Sequence, residues 1–143
     1  MAKAKKIALR VLLGVLALPL VLIILFIVFE VFGAIVNHAA GNLQTKRFTG
    51  YAAEQGFEVL ASDTFVGNSG NGNHVDLISS VYVTADRTTE EALALISSCD
   101  GSPAVWTPDE EDLSKAGVTP PEEGVLMLRL FNSAPFADNI EGH

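Results

Sequence analysis

The sequence predicts an α+β protein tethered by a membrane-spanning N-terminal helix, and three observations carry that prediction. Nineteen consecutive residues, Val11 to Phe29, hold no polar side chain. Two runs of alternating side chains flank a glycine- and asparagine-rich turn at residues 67–73. A helix-capping signature, Thr88-Thr89-Glu90-Glu91, opens a later apolar stripe. The expected order is a transmembrane helix followed by a small α-β-β-α-β domain. Its sheet should be antiparallel-dominated with two helices on one face, a split βαβ-like arrangement.

As a helix rising about 1.5 Å per residue, nineteen residues span roughly 28 Å, which matches the hydrocarbon core of a bilayer. Apolar residues continue past Arg10 and Glu30, so the span covers residues 11–36 around a core at 11–29, with room to tilt or shift. A cleaved signal peptide would need a shorter apolar run, about 7 to 15 residues, and small residues at a cleavage site. The nearest match, His38-Ala39-Ala40, has histidine where a small side chain is wanted, and no lipobox cysteine is present. An uncleaved signal-anchor is therefore expected. Lys3, Lys5, Lys6 and Arg10 precede the helix, and the next bases are Lys46 and Arg47. That asymmetry makes residues 1–10 a cytoplasmic basic tail and puts the C-terminal domain outside the cytoplasm. Within the span, Pro19 removes a backbone donor, and Glu30 falls near the outer interface, where a carboxylate snorkels to water or pairs with a basic partner helix.

Charge divides at the same place. Residues 1–41 carry four bases against Glu30, a net +3, whereas the rest carries five bases against sixteen acids, a net −11. An outer domain this acidic is repelled by nucleic acid and by anionic head groups, so nucleic acid is not an expected partner. One cysteine, Cys99, excludes an internal disulfide, and no Asn-x-Ser/Thr sequon occurs. Both absences point toward a bacterial plasma membrane and cell envelope.

Residues 37–42 read as a short polar linker, and residues 43–143 as the extracytoplasmic domain. Leu43, Phe48, Tyr51, Ala52 and Gln55 lie at near-helical spacing, with Gly56 at a helix C-cap; this short amphipathic helix either follows the linker or continues the membrane helix. Residues 57–66 and 75–84 form the two alternating runs and read as a β-hairpin. Thr88 and Glu91 fit a capping box, and Ala92, Leu93, Leu95, Ile96 and Cys99 supply the buried stripe behind it. Residues 103–124, punctuated by Pro103, Pro108, Pro120 and Pro121, read as a loop excursion in which only Asp109 to Lys115 suits a helical turn. Val125 to Phe131 is apolar enough to be a central strand, after which the tail frays or adds an edge.

Candidate ligand-binding residues gather in one loop: Asn68, Asn71, Asn73, His74 and Asp76, with Trp106 as the large aromatic expected in a loop. Side-chain and backbone oxygens there suit Ca²⁺, and the backbone N–H groups suit an anion. Against both, the loop has one carboxylate, and its glycines and asparagines also explain a plain turn. His74 with Asp76 and Ser79 or Ser80 has the composition of a catalytic triad, but no Gly-x-Ser-x-Gly elbow presents a serine. Cys99 falls at a helix C-terminus, where the dipole disfavours a thiolate. One cysteine and three scattered histidines give no zinc spacing, and no cofactor signature occurs. The run Asp109-Glu110-Glu111-Asp112 suits cations or a basic partner, and equally a solvated helix turn. Two functional expectations remain: a non-enzymatic module binding a protein or envelope component, or an accessory subunit acting through Pro19 and Glu30. A hydrolase or transferase using His74 is the third and weakest.

Overall fold

A computed structural model describes residues 2–70 and 72–143. Eight elements follow one another: helix α1 (Ala2–Glu54), strands β1 (Val59–Gly67) and β2 (Asp76–Thr84), helix α2 (Thr89–Ile96), strand β3 (Ser102–Trp106), helix α3 (Glu110–Ala116), strand β4 (Val125–Ser133) and a final 3₁₀ turn (Ile140–Gly142). The class is α+β, with a four-stranded, wholly antiparallel sheet in the order β1-β2-β4-β3.

Helix α1 has 53 residues and, at about 1.5 Å per residue, is close to 80 Å long. Its N-terminal half is long and apolar enough to cross a membrane. Residues 37–42, read from sequence as a linker, are helical. Asn37, Gly41 and Asn42 are weak helix formers in isolation, so tertiary contact supplies what propensity lacks. One buried stripe runs through the junction at intervals of four or three residues: Gly33, Asn37, Gly41, Thr45, Phe48 and Ala52. Gly41 permits close approach to β1, since a Cβ there would stand 2.7 Å from Val66 Cγ2 and 3.0 Å from Thr64 Cγ2. The residue that resembles a helix breaker is a contact point.

The hairpin, the capped helix and the central apolar strand form where the sequence places them. Thr88 and Glu91 complete both arms of the capping box, and β4 is flanked by β2 and β3. One face of the sheet carries the main core, in which Phe48 and Ala52 of α1 and Ala92 and Ile96 of α2 meet Val81, Val83, Leu126, Leu128 and Leu130. Nearer the middle of α1 the same face is polar. Thr64 Oγ1 donates to Thr45 Oγ1 (2.7 Å), Thr45 Oγ1 to Ser79 Oγ (2.8 Å), and Gln44 Nε2 reaches Ser79 Oγ (3.0 Å) and the Leu130 carbonyl (3.1 Å).

Two further expectations need correction. The segment 103–124 is more than an excursion: it supplies most of the edge strand β3 as well as helix α3, which forms where Asp109 to Lys115 suits a helical turn. Pro103 disguises β3, yet proline is tolerated on an edge strand, and β3 pairs with β4 alone. The helices do not share one face either. Leu113 and Ala116 of α3, with Val118, pack on Tyr82, Val125 and Met127 across the sheet from α1 and α2. The tail beyond β4 folds back onto α1: Phe136 N–H donates to Asn37 Oδ1 (2.9 Å), and Asn37 Nδ2 to the Phe136 carbonyl (3.1 Å).

Phe48 is buried under α2 and the sheet, whereas Leu43 is 47% exposed on the same helix. Phe48→Ala should lower unfolding free energy by about 3–5 kcal/mol and Leu43→Ala by less than about 1, as read from denaturant unfolding of the full chain in detergent.

Candidate functional site

The loop between β1 and β2 is organised around Asp76. Asp76 heads β2 and is nearly buried, yet its carboxylate meets two partners from the loop itself: Oδ1 lies 3.0 Å from His74 Nε2, and Oδ2 accepts from the Ser69 hydroxyl. Asn68 turns inward, with Oδ1 accepting from Gly70 N–H (2.7 Å) and Nδ2 donating to the Gly142 carbonyl (2.7 Å). Asn73 is exposed, and Asn71 lies outside the described residues. His74 lies in the bend two residues before β2, and its imidazole reaches forward to the Asp76 carboxylate.

This arrangement differs from a triad in its order. A nucleophilic serine needs the histidine between itself and the acid. Here the acid stands in the middle, with serine and histidine bound to opposite oxygens, so Ser69 has no base. Ser79, the other candidate nucleophile, is fully buried and accepts from Gln44 and Thr45, and Ser80 is buried as well. Asp76, Ser69, His74 and Asn68 therefore act as a clasp that holds an otherwise long loop shut. No group of three or more potential metal-binding side chains occurs among the described residues.

Asp76 and Trp106 stand at the two ends of one cleft. Both line a cleft of about 600 Å³ with Ser102, Pro103, Ala104, Phe131, Asn132 and Ser133. It lies over the part of the sheet that α3 leaves open. Register sets the two ends of the cleft: Asp76 pairs with Ser133 and Ser102 with Phe131 at one end, while Trp106 pairs with Met127 further along β4 and its indole reaches back to Phe131. Trp106 stands edge-on to Phe131, with centroids 5.8 Å apart, and the Arg129 guanidinium lies 5.1 Å from its ring centre. The indole remains 40% exposed, so Trp106 packs on the sheet and still presents a face to solvent. Sequence reasoning missed Phe131 and Arg129 as companions of Trp106, because only the presence of β3 brings them together.

The other side of the domain holds a second cleft of about 600 Å³ between α1 and β4, lined by Leu43, Gln44, Arg47, Tyr51, Cys99 and Leu130 among others. Burial pushes the Cys99 thiol above its ordinary range, opposite to the shift a nucleophile needs. The acidic run is accounted for by α3. Asp109 caps the helix and exchanges hydrogen bonds with Asp112, the carboxylates of its first turn complement the helix dipole, and Glu111 pairs with Lys115 at 2.6 Å.

No protein-family model, curated protein or solved structure matches this chain.

Two outcomes follow from this geometry. Asp76→Asn weakens the charge-assisted bonds to His74 and Ser69, so amide exchange across residues 68–75 should speed up at least about tenfold, with β4 unaffected, in hydrogen-exchange mass spectrometry. Because burial pushes its thiol above the ordinary range, Cys99 should react with iodoacetamide at neutral pH more slowly than a free cysteine, and faster as pH rises.

Proposed function

We propose that this chain is a single-pass membrane protein whose outer domain is a non-enzymatic binding module for a protein or another envelope component. The observation that carries the reading is the cleft between Asp76 and Trp106, an aromatic surface on a domain joined by unbroken helix to an apolar segment of spanning length. Aromatic side chains packed below and open above are the usual anchors of recognition surfaces. In this reading the bilayer holds residues 11–36, the basic tail stays cytoplasmic, and the envelope is bacterial. The absence of any hydroxyl or thiol bonded to His74 among the described residues weighs against hydrolase or transferase chemistry there.

The accessory-subunit reading needs Pro19 and Glu30 at an interface with another helix. Glu30 is already engaged within the chain, where its Oε2 accepts from Ile140 N–H at 2.9 Å, and this weighs against that reading. Photocrosslinking from intact membranes, followed by pull-down, tests the choice. Trp106→Ala should cut capture of a specific partner at least about tenfold, whereas replacing residues 11–28 by an unrelated apolar sequence should leave it intact. Loss of capture only on helix replacement would favour the accessory subunit, and no specific capture by either chain would sink the binding module.

A further inference from the structure

We infer that the C-terminal segment, residues 134–143, is a foot that rests on the bilayer and sets Phe136 and Ile140 at the boundary between head groups and acyl chains. The inference rests on reading α1 as the membrane span.

The chain leaves β4 and returns to the level at which the uncharged run of α1 ends. Phe136 lies edge-on to Phe29 and to Phe32, with centroids 5.7 and 5.8 Å away. Phe29 is the last residue of the run and Glu30 the first charge after it. The segment binds Glu30 twice: Ile140 N–H donates to its carboxylate (2.9 Å), and Asn139 Nδ2 donates to its backbone carbonyl (2.8 Å), which α1 also uses. Two turns further along, His38 Nε2 lies 2.9 Å from Glu141 Oε1. The segment is fastened on its other side as well. Val75 N–H donates to the Ala137 carbonyl (2.7 Å), Ala134 N–H to the Val75 carbonyl (3.0 Å), and Asn68 to Gly142.

So firmly held a segment nevertheless leaves Ile140 59% exposed beside Glu30. On the helix, Val31, Phe32 and Ile35 are also more than half exposed, which continues the apolar belt of residues 11–29 past Glu30. An apolar surface that continues a bilayer-facing belt, with the intervening carboxylate satisfied by backbone N–H, fits lipid as its occupant. Asp138 and Glu141 lie on the same segment, so the lipid chemistry that suits it is zwitterionic, and an anionic head group would be repelled.

Single-tryptophan fluorescence of the full chain in phosphatidylcholine nanodiscs, with lipids brominated on the acyl chains, tests the inference. In a Trp106→Phe background, Leu22→Trp reports the span, Ile140→Trp the foot, and Leu93→Trp the far end of the domain. Leu93 sits on α2, whose Leu95 carbonyl accepts from Tyr51, some 30 Å along α1 from Glu30. Ile140 and Leu93 are exposed enough to accept the larger side chain. Strong quenching for Leu22→Trp and Ile140→Trp, with none for Leu93→Trp, is the expected result. Quenching for Leu22→Trp alone, with Ile140→Trp emitting like indole in water, overturns the foot and leaves the span standing. No quenching for Leu22→Trp overturns the span and the foot together.

Discussion

Asn37 commits both ends of its side-chain amide to the backbone of Phe136, and the arrangement of the molecule depends on that bond pair. The side chain is fully buried, so its donor and acceptor have no water to fall back on, and losing either partner would cost roughly 1–3 kcal/mol. Asn37 stands on the turn of α1 where the apolar half gives way to the half that packs on the sheet. Binding the C-terminal segment there joins the first element of the chain to the last. The helix can then be continuous, because its weakest-propensity stretch is covered on its inner side by β1, by the tail and by the hydrogen bonds of Asn37.

The two sheet faces divide the remaining work. Beneath α1 and α2 the core is apolar toward the end of α1, but around Ser79 it becomes a chain of hydroxyls and the Gln44 amide. Satisfied polar contacts of this kind have direction as well as energy, and they fix how far α1 can slide along β2. The opposite face is only partly covered by the short α3, and what it leaves open is aromatic. Arg129 lies there against Trp106 and within 4.0 Å of Asp112, while burial and the Asp112 charge together push the Tyr82 hydroxyl above its ordinary range.

Legibility from sequence followed the range of the interactions. The hairpin, the capping box of α2 and the strand read at residues 125–131 depend on alternation, on side chains three residues apart or on an unbroken apolar run, and such patterns survive in one dimension. β3 was hidden because Pro103 and a length of five residues conceal an edge strand, whose pairing with β4 is a long-range fact. The stretch 37–42 resembled a linker because local propensity was all that could be read, whereas the contacts that hold it helical come from Val66, Thr64 and Phe136. At the candidate site, strand spacing put His74 and Asp76 on one side but apart, so neither the reach of the imidazole to the carboxylate nor the role of the pair was readable. Ser69 turns the pair into a clasp, and no spacing rule announces which oxygen a serine will choose. The cleft with Trp106 depended on β3 and was equally out of reach.

The helical junction also constrains how this chain can change over evolutionary time. A flexible linker tolerates insertions with little cost. Between Glu30 and Thr45 each added residue would instead rotate the sheet by about 100° around the helix axis and displace it about 1.5 Å. Asn37 would swing away from Phe136, or Thr45 from Ser79, and no neighbouring side chain could take over both roles. The stretch between Glu30 and Thr45, part of which looks like spacer, thus behaves as a fixed phase between the two halves of the molecule: substitutions on the outer side are tolerated, and changes of length are not.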